Sequence, residues 1–103
     1  MLAGPDRPRA IAAGTDEVAL GIVLAAHQLG LRVPEDLSIT GVDDVPSAGA
    51  WGLTTVRQDP AQHGRDAVAW IMERVQAPAG GPDTGHTSYA PELVVRGSTA
   101  PRG

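Results

Sequence analysis

Two short strand-like runs in this chain, one apolar and one β-branched, each lead into a helix start, and this limits the possible folds more than any other feature. Ala10-Ile11-Ala12-Ala13 ends at Gly14 and is followed by Thr15-Asp16-Glu17. Thr15 or Asp16 can accept from the free N–H groups of a first helical turn, and Glu17 suits the positive end of its dipole. Val18, Ile22, Ala25 or Ala26, and Leu29 then recur at helical spacing, and Gly30 stands where a left-handed residue ends a helix. The pattern predicts a helix over 16–29. Leu53-Thr54-Thr55-Val56-Arg57 is a β-branched run that leads into Asp59-Pro60-Ala61-Gln62. Here Asp59 is the cap, Pro60 fits the first helical position, and Gln62 is placed to reach back as in a capping box. Val68, Ile71, Met72 and Val75 form the stripe of a second helix, predicted to run to about Gln76 and to stop before Pro78.

The remaining segments fill in the order. Leu37 to Val42 reads as a strand that ends at Asp43-Asp44, after a connection broken by Pro34. Val45 to Gly52 is expected to be a loop of small residues, and 78–86 a Gly/Pro loop. Thr87 to Tyr89 and Leu93 to Arg96 read as strand pieces around Pro91, which suits a sheet edge. Residues 1–9 and 98–103 read as tails. Strands alternating with helices give an α/β domain with a mainly parallel sheet and flanking helices. In such sheets ligands sit beyond the carboxyl ends of the strands, where Thr15-Asp16 and Asp43-Asp44 both fall.

Composition removes several classes of function. The 103 residues contain no Cys, no Lys, no Asn and no Phe. Thiolate metal sites, cysteine nucleophiles, P-loops and Schiff bases are therefore excluded. Such usage also fits a bacterium of high genomic GC. Twelve acidic against eight basic residues leave a net charge of -4, a poor footing for binding a phosphate backbone. No apolar run approaches the ~20 residues of a membrane span, and the first residues lack a signal-peptide core. The expected location is the cytoplasm.

Against that background the Asp43-Asp44 pair carries most information. Two carboxylates after a buried strand can accept hydrogen bonds from sugar hydroxyls or take Mg²⁺, or they can be no more than a solvated loop. Thr15-Asp16 offers a hydroxyl and a carboxylate at the same crevice, or a helix cap. Gln58, directly after the third strand, can both donate and accept, or satisfy nearby backbone. Trp51 can stack on a sugar ring or plug the core. His27, His63 and His86 are far apart. Asp59 and His63 are four apart but are too few for a metal site, and no metal or cofactor is expected. Ser38, Ser47, Ser88 and Ser98 lack the glycines of a nucleophile elbow.

Five blocks together say more than each alone. Thr15-Asp16-Glu17-Val18-Ala19-Leu20-Gly21, Gly30 to Ser38, Gly41-Val42-Asp43-Asp44, Leu53 to Gln58 and Glu92 to Thr99 occur in one order and register. Over about Pro8 to Pro101 the chain resembles the C-terminal part of lactose/galactose-repressor-type transcriptional regulators. The resemblance implies part of a type I periplasmic-binding-protein-like effector domain, with 10–57 and 92–97 in a C-terminal lobe and 60–76 in an N-terminal lobe. It implies that a DNA-binding helix-turn-helix and most of the N-terminal lobe are absent here. The stripe of helix 60–76 would then be only partly covered, and a homodimer is expected. The family's effector contacts fall on Thr15, Asp43 and Gln58. Thr15 stands where the family most often has Asn, Val18 where it has Met, and Val42 where it has an aromatic residue. The implied ligand is a sugar or related polyol, and no enzyme activity is expected. A transport-type sugar-binding protein of the same fold is the alternative.

Overall fold

A computed structural model describes residues 2–77 and 87–101. Its elements are β1 (Ala10–Ala12), α1 (Asp16–Gln28), β2 (Ser38–Asp43), α2 (Pro46–Ala50), β3 (Thr54–Arg57), α3 (Pro60–Gln76) and β4 (Glu92–Val94). The chain divides into two compact units, Met1–Gln58 with Pro91–Gly103, and Asp59–Ala90.

The first unit holds one sheet in the order β1-β2-β3-β4. β1, β2 and β3 are parallel, and β4 closes the edge antiparallel to β3. The core combines alanines with a few large aliphatic residues: Ala13, Ala19, Ala26, Leu37, Ile39, Ala48 and Leu53 are buried. α1 turns Asp16, Ala19 and Ala26 inward, with Ile22 and Val23 packed beside them. Val18 and Leu29, expected on the buried stripe, are instead more than half exposed. The inward face is set by alanine, which lets the helix lie close on the sheet. Thr15 caps α1 by accepting from the Val18 N–H at 3.2 Å, and Gly30 follows its C-terminus with φ 74°.

Three expectations need correction. The 45–52 loop contains α2. Pro46 starts it with a φ already helical, and Asp16 Oδ2 accepts from the Val45 N–H just before it at 2.9 Å. Thr87 to Tyr89 is not a strand; β4 is confined to Glu92–Val94. Nor are the tails free throughout. Ser98 is buried, and its hydroxyl donates to the Ile39 carbonyl at 2.6 Å while accepting from the Thr54 N–H at 2.8 Å. Leu2 packs on the core, and Arg7 donates to the Asp36 carbonyl at 2.8 Å. The expected 78–86 loop, with His86, lies outside the described residues.

The second unit is built on α3. Asp59 caps it, accepting from the Gln62 N–H at 3.0 Å. Gln62 does not reach back; its amide donates forward to Asp66 at 2.7 Å. No residue of α3 is buried, and Val68, Ile71, Met72 and Val75 are each at least half exposed. Tyr89 donates to Asp66 at 2.6 Å, and its ring lies 4.0 Å from that of His63.

Candidate functional site

The parallel order puts the carboxyl ends of β1, β2 and β3 side by side on one edge of the sheet, each strand ~4.8 Å from the next. Thr15 follows β1, Asp43 ends β2, and Gln58 follows β3. Asp43 is the register partner of Arg57, so Gln58 comes one residue beyond it. All three residues are exposed. The Thr15 oxygen accepts from the helix, but its O–H remains able to donate. The edge thus offers a hydroxyl donor, a carboxylate acceptor and an amide that does both.

The two acidic residues are not equivalent. Asp44 Oδ2 accepts from Arg57 Nε at 2.7 Å, and its Oδ1 accepts from Arg96 Nη1 at 2.8 Å. Those two guanidinium groups hold the Asp44 carboxyl below the usual carboxylate range. Arg57 also reaches Glu92 on β4 at 3.5 Å. Asp43 is exposed and has no side-chain hydrogen-bond partner among the described residues. Its backbone is unusual: φ is 117° at Asp43 and 59° at Asp44. Short acidic side chains tolerate the left-handed region at Asp44. A non-glycine residue near 117° carries strain of roughly 1–3 kcal/mol that the surroundings must hold.

Asp16 and Trp51 stand elsewhere. Asp16 is fully buried, and its Oδ1 accepts from the Thr55 hydroxyl at 2.5 Å while Oδ2 takes the Val45 N–H. Its carboxylate is spent inside the fold. Trp51 is exposed, so it does not plug the core. It ends α2 and precedes the amino end of β3, which places it at the opposite edge of the sheet from Thr15, Asp43 and Gln58. A groove of about 710 Å³ also lies at amino ends, lined in part by Ala10, Ser38 and Thr99. Its Asp36 carboxylate is held by Arg32 at 2.9 Å, so that charge is already matched. Arg96 and Arg57 escaped the sequence reading; their pairing with Asp44 spans 52 and 13 residues, and only the order of the blocks hinted at it. Among the described residues no three His, Asp or Glu side chains converge as metal ligands.

Residues 1–99 match the family described as periplasmic binding protein-like domain. The chain belongs to that family. It is 43% identical over 95 residues to the HTH-type transcriptional regulator MalR of Streptomyces coelicolor, covering 88% of this chain and 26% of that protein. A solved LacI family transcriptional regulator from Mycobacterium smegmatis superposes with a TM-score of 0.76 at 39% identity, over 97% of this chain and 36% of that one. A LacI family regulator from Lactobacillus casei, solved with bound sucrose, gives a TM-score of 0.74 at 27% identity, over 90% and 34%. These relatives bear out the resemblance read from the sequence and the α/β, mainly parallel architecture of this periplasmic-binding-protein-like domain. The chain spans about a quarter to a third of their length. No helix among the described residues is long and apolar enough to cross a membrane.

Proposed function

We propose that this chain is the effector-sensing part of a LacI-type transcriptional regulator, and that it binds a neutral, hydroxyl-rich small molecule such as a sugar or polyol. The contacts are Thr15, Asp43 and Gln58, on the carboxyl edge of β1–β3. In this reading 10–57 and 92–97 form part of the C-terminal lobe and 60–76 part of the N-terminal lobe. DNA is contacted through a domain outside this chain, the working unit is a homodimer in the cytoplasm, and no reaction is catalysed. The observation that carries the reading is the unpaired Asp43 carboxylate between a donor and an amide, because a charged acceptor makes stronger bonds to hydroxyls than a neutral one. The relative solved with sucrose supports the ligand class, and the regulator names of the relatives favour this reading over a transport protein.

The test is a thermal-shift screen of the protein together with its upstream sequence against neutral mono- and disaccharides, polyols and sugar phosphates. At least one neutral sugar should raise the melting temperature, and Asp43→Ala should abolish that rise. A sugar-induced rise undiminished in Asp43→Ala would remove this edge as the site. An in-frame helix-turn-helix upstream supports the regulator, whereas an upstream signal peptide supports transport.

A further inference from the structure

We propose that Asp44 is a positioning residue: by engaging Arg57 and Arg96 together it holds the backbone turn at Asp43 and leaves the Asp43 carboxylate unpaired. The inference rests on the reading of Asp43 as a ligand contact. On the sheet, Arg57 is the register partner of Asp43, not of Asp44. Position alone would pair Arg57 with Asp43. Yet Arg57 Nε bonds to Asp44 at 2.7 Å, and two successive residues of positive φ separate the acids so that only Asp44 is paired. Each Asp44 oxygen takes one arginine, and the side chain is only 11% exposed. Arg96 is itself anchored, since the same Nη1 donates to the Leu53 carbonyl at 3.0 Å. The next residue is fixed as well, because the Val45 N–H is bonded to buried Asp16.

Residues 44 and 45 are therefore pinned from three sides, and the turn at 43 has to span what is left. Nothing in an aspartate favours φ near 117°, so the conformation persists only while its neighbours impose it. Removing the acid at 44 does two things. It lets residue 43 relax to an ordinary negative φ, and it leaves two guanidinium groups without their short carboxylate bond, Arg57 keeping only the 3.5 Å approach to Glu92. Those groups would then take the carboxylate that a ligand needs. Asp44 acts by occupying the competitors of the ligand.

The experiment is NMR on the isotope-labelled 103-residue chain. The three-bond coupling between the Asp43 amide and α protons reports φ. It should be small in the unsubstituted chain and rise to the large value of an extended strand in Asp44→Ala. Asp44→Glu, which can still hold both arginines, should restore the small value. Unchanged amide shifts at Ile39 and Thr55 show that the sheet is intact. If Asp44→Ala does not fold, the double substitution Arg57→Gln with Arg96→Gln cuts the same clamp and should give the same rise. An intact sheet with an unaltered Asp43 coupling in either variant overturns the proposal, even if Asp43→Ala abolishes sugar binding. A coupling that rises in a protein whose sugar binding ignores Asp43 upholds the clamp and overturns the site.

Discussion

The carboxylate of Asp16 occupies the space that a side chain on Gly41 would fill. A Cβ there would lie 3.0 Å from the Asp16 Cα and 3.1 Å from Leu53 Cδ2, with Asp16 Oδ1 nearer still. Gly41 thus lets α1 come down onto β2, and Asp16 fills the gap with a group that ties α1 to β3 and to the start of α2. Gly41→Ala should cost about 1–3 kcal/mol through overpacking. Asp16→Ala should cost a similar ~1–3 kcal/mol by leaving the Val45 N–H and the Thr55 hydroxyl unpaired. The double variant should be less unstable than the sum, because the smaller residue at 16 makes room for the larger one at 41. Urea midpoints of the four proteins give the answer, and strict additivity would mean that the two residues do not share one space.

Much of this framework was legible in the sequence, and the reason is local. Thr15, Asp59 and Gly30 act on backbone groups within one turn, so α3 runs over its expected residues and α1 within one residue of them. The shared edge of Thr15, Asp43 and Gln58 follows from chain order once the strands are parallel. What stayed hidden depends on distant partners. Ser98 sits in a Gly/Ser/Thr stretch that reads as fraying, and its burial comes from bonds to β2 and β3. α2 has five residues, too few for a period to be visible. Trp51 reads as near the crevice in sequence, but α2 carries the chain back to the amino edge before β3 begins.

In the protein with its upstream sequence, Asp43→Ala should weaken the sugar found by the thermal screen by roughly 1.5–3 kcal/mol per charged bond lost, about tenfold to a hundredfold or more. Asp44→Ala should weaken it less, since Asp44 spends both oxygens on arginine and acts on the ligand only through Asp43. Calorimetric titration of both variants ranks them, and a larger loss at Asp44 would reverse the assignment.

Tyr89 is the sole tyrosine of the chain, so its phenolate absorbance can be followed without interference. Its hydrogen bond to the Asp66 carboxylate, and the negative charge there, push its ionisation above the ordinary value of about 10. Asp66→Ala should bring the spectroscopic midpoint down. A midpoint that stays put would show that the bond does not form in solution.

Acid should act on the ion pairs with a definite sign. Asp44 has a folded-state pKa below its unfolded value, so the folded chain binds fewer protons at this group. Its stabilising contribution is complete above the ordinary carboxylate value of ~3.9 and is lost as pH falls through the lower folded value. The gap in melting temperature between the unsubstituted chain and Asp44→Asn should therefore be constant from neutral pH to about 5 and close on further acidification. A gap that widened in acid would contradict the pairing.

The stripe on α3 should make the 103-residue chain self-associate, because Val68, Ile71, Met72 and Val75 are exposed together. Sedimentation should reveal dimers or larger species, and Ile71→Gln with Val75→Gln should shift the population toward monomer. A sharp monomer before any substitution would show that the stripe is harmless in water.

The sheet of the first unit is also stitched from segments on either side of Asp59–Ala90. β4 and Ser98 join it only after the whole of Asp59–Ala90 has been made. During translation, β3 emerges with its outer edge open, and the Ile39 carbonyl and Thr54 N–H wait for a hydroxyl still unmade. A nascent chain in that state exposes a parallel sheet with a bare border, which is prone to pairing with a neighbour. The segment from Glu92 to Ser98 therefore decides whether this unit becomes a finished domain or an adhesive one.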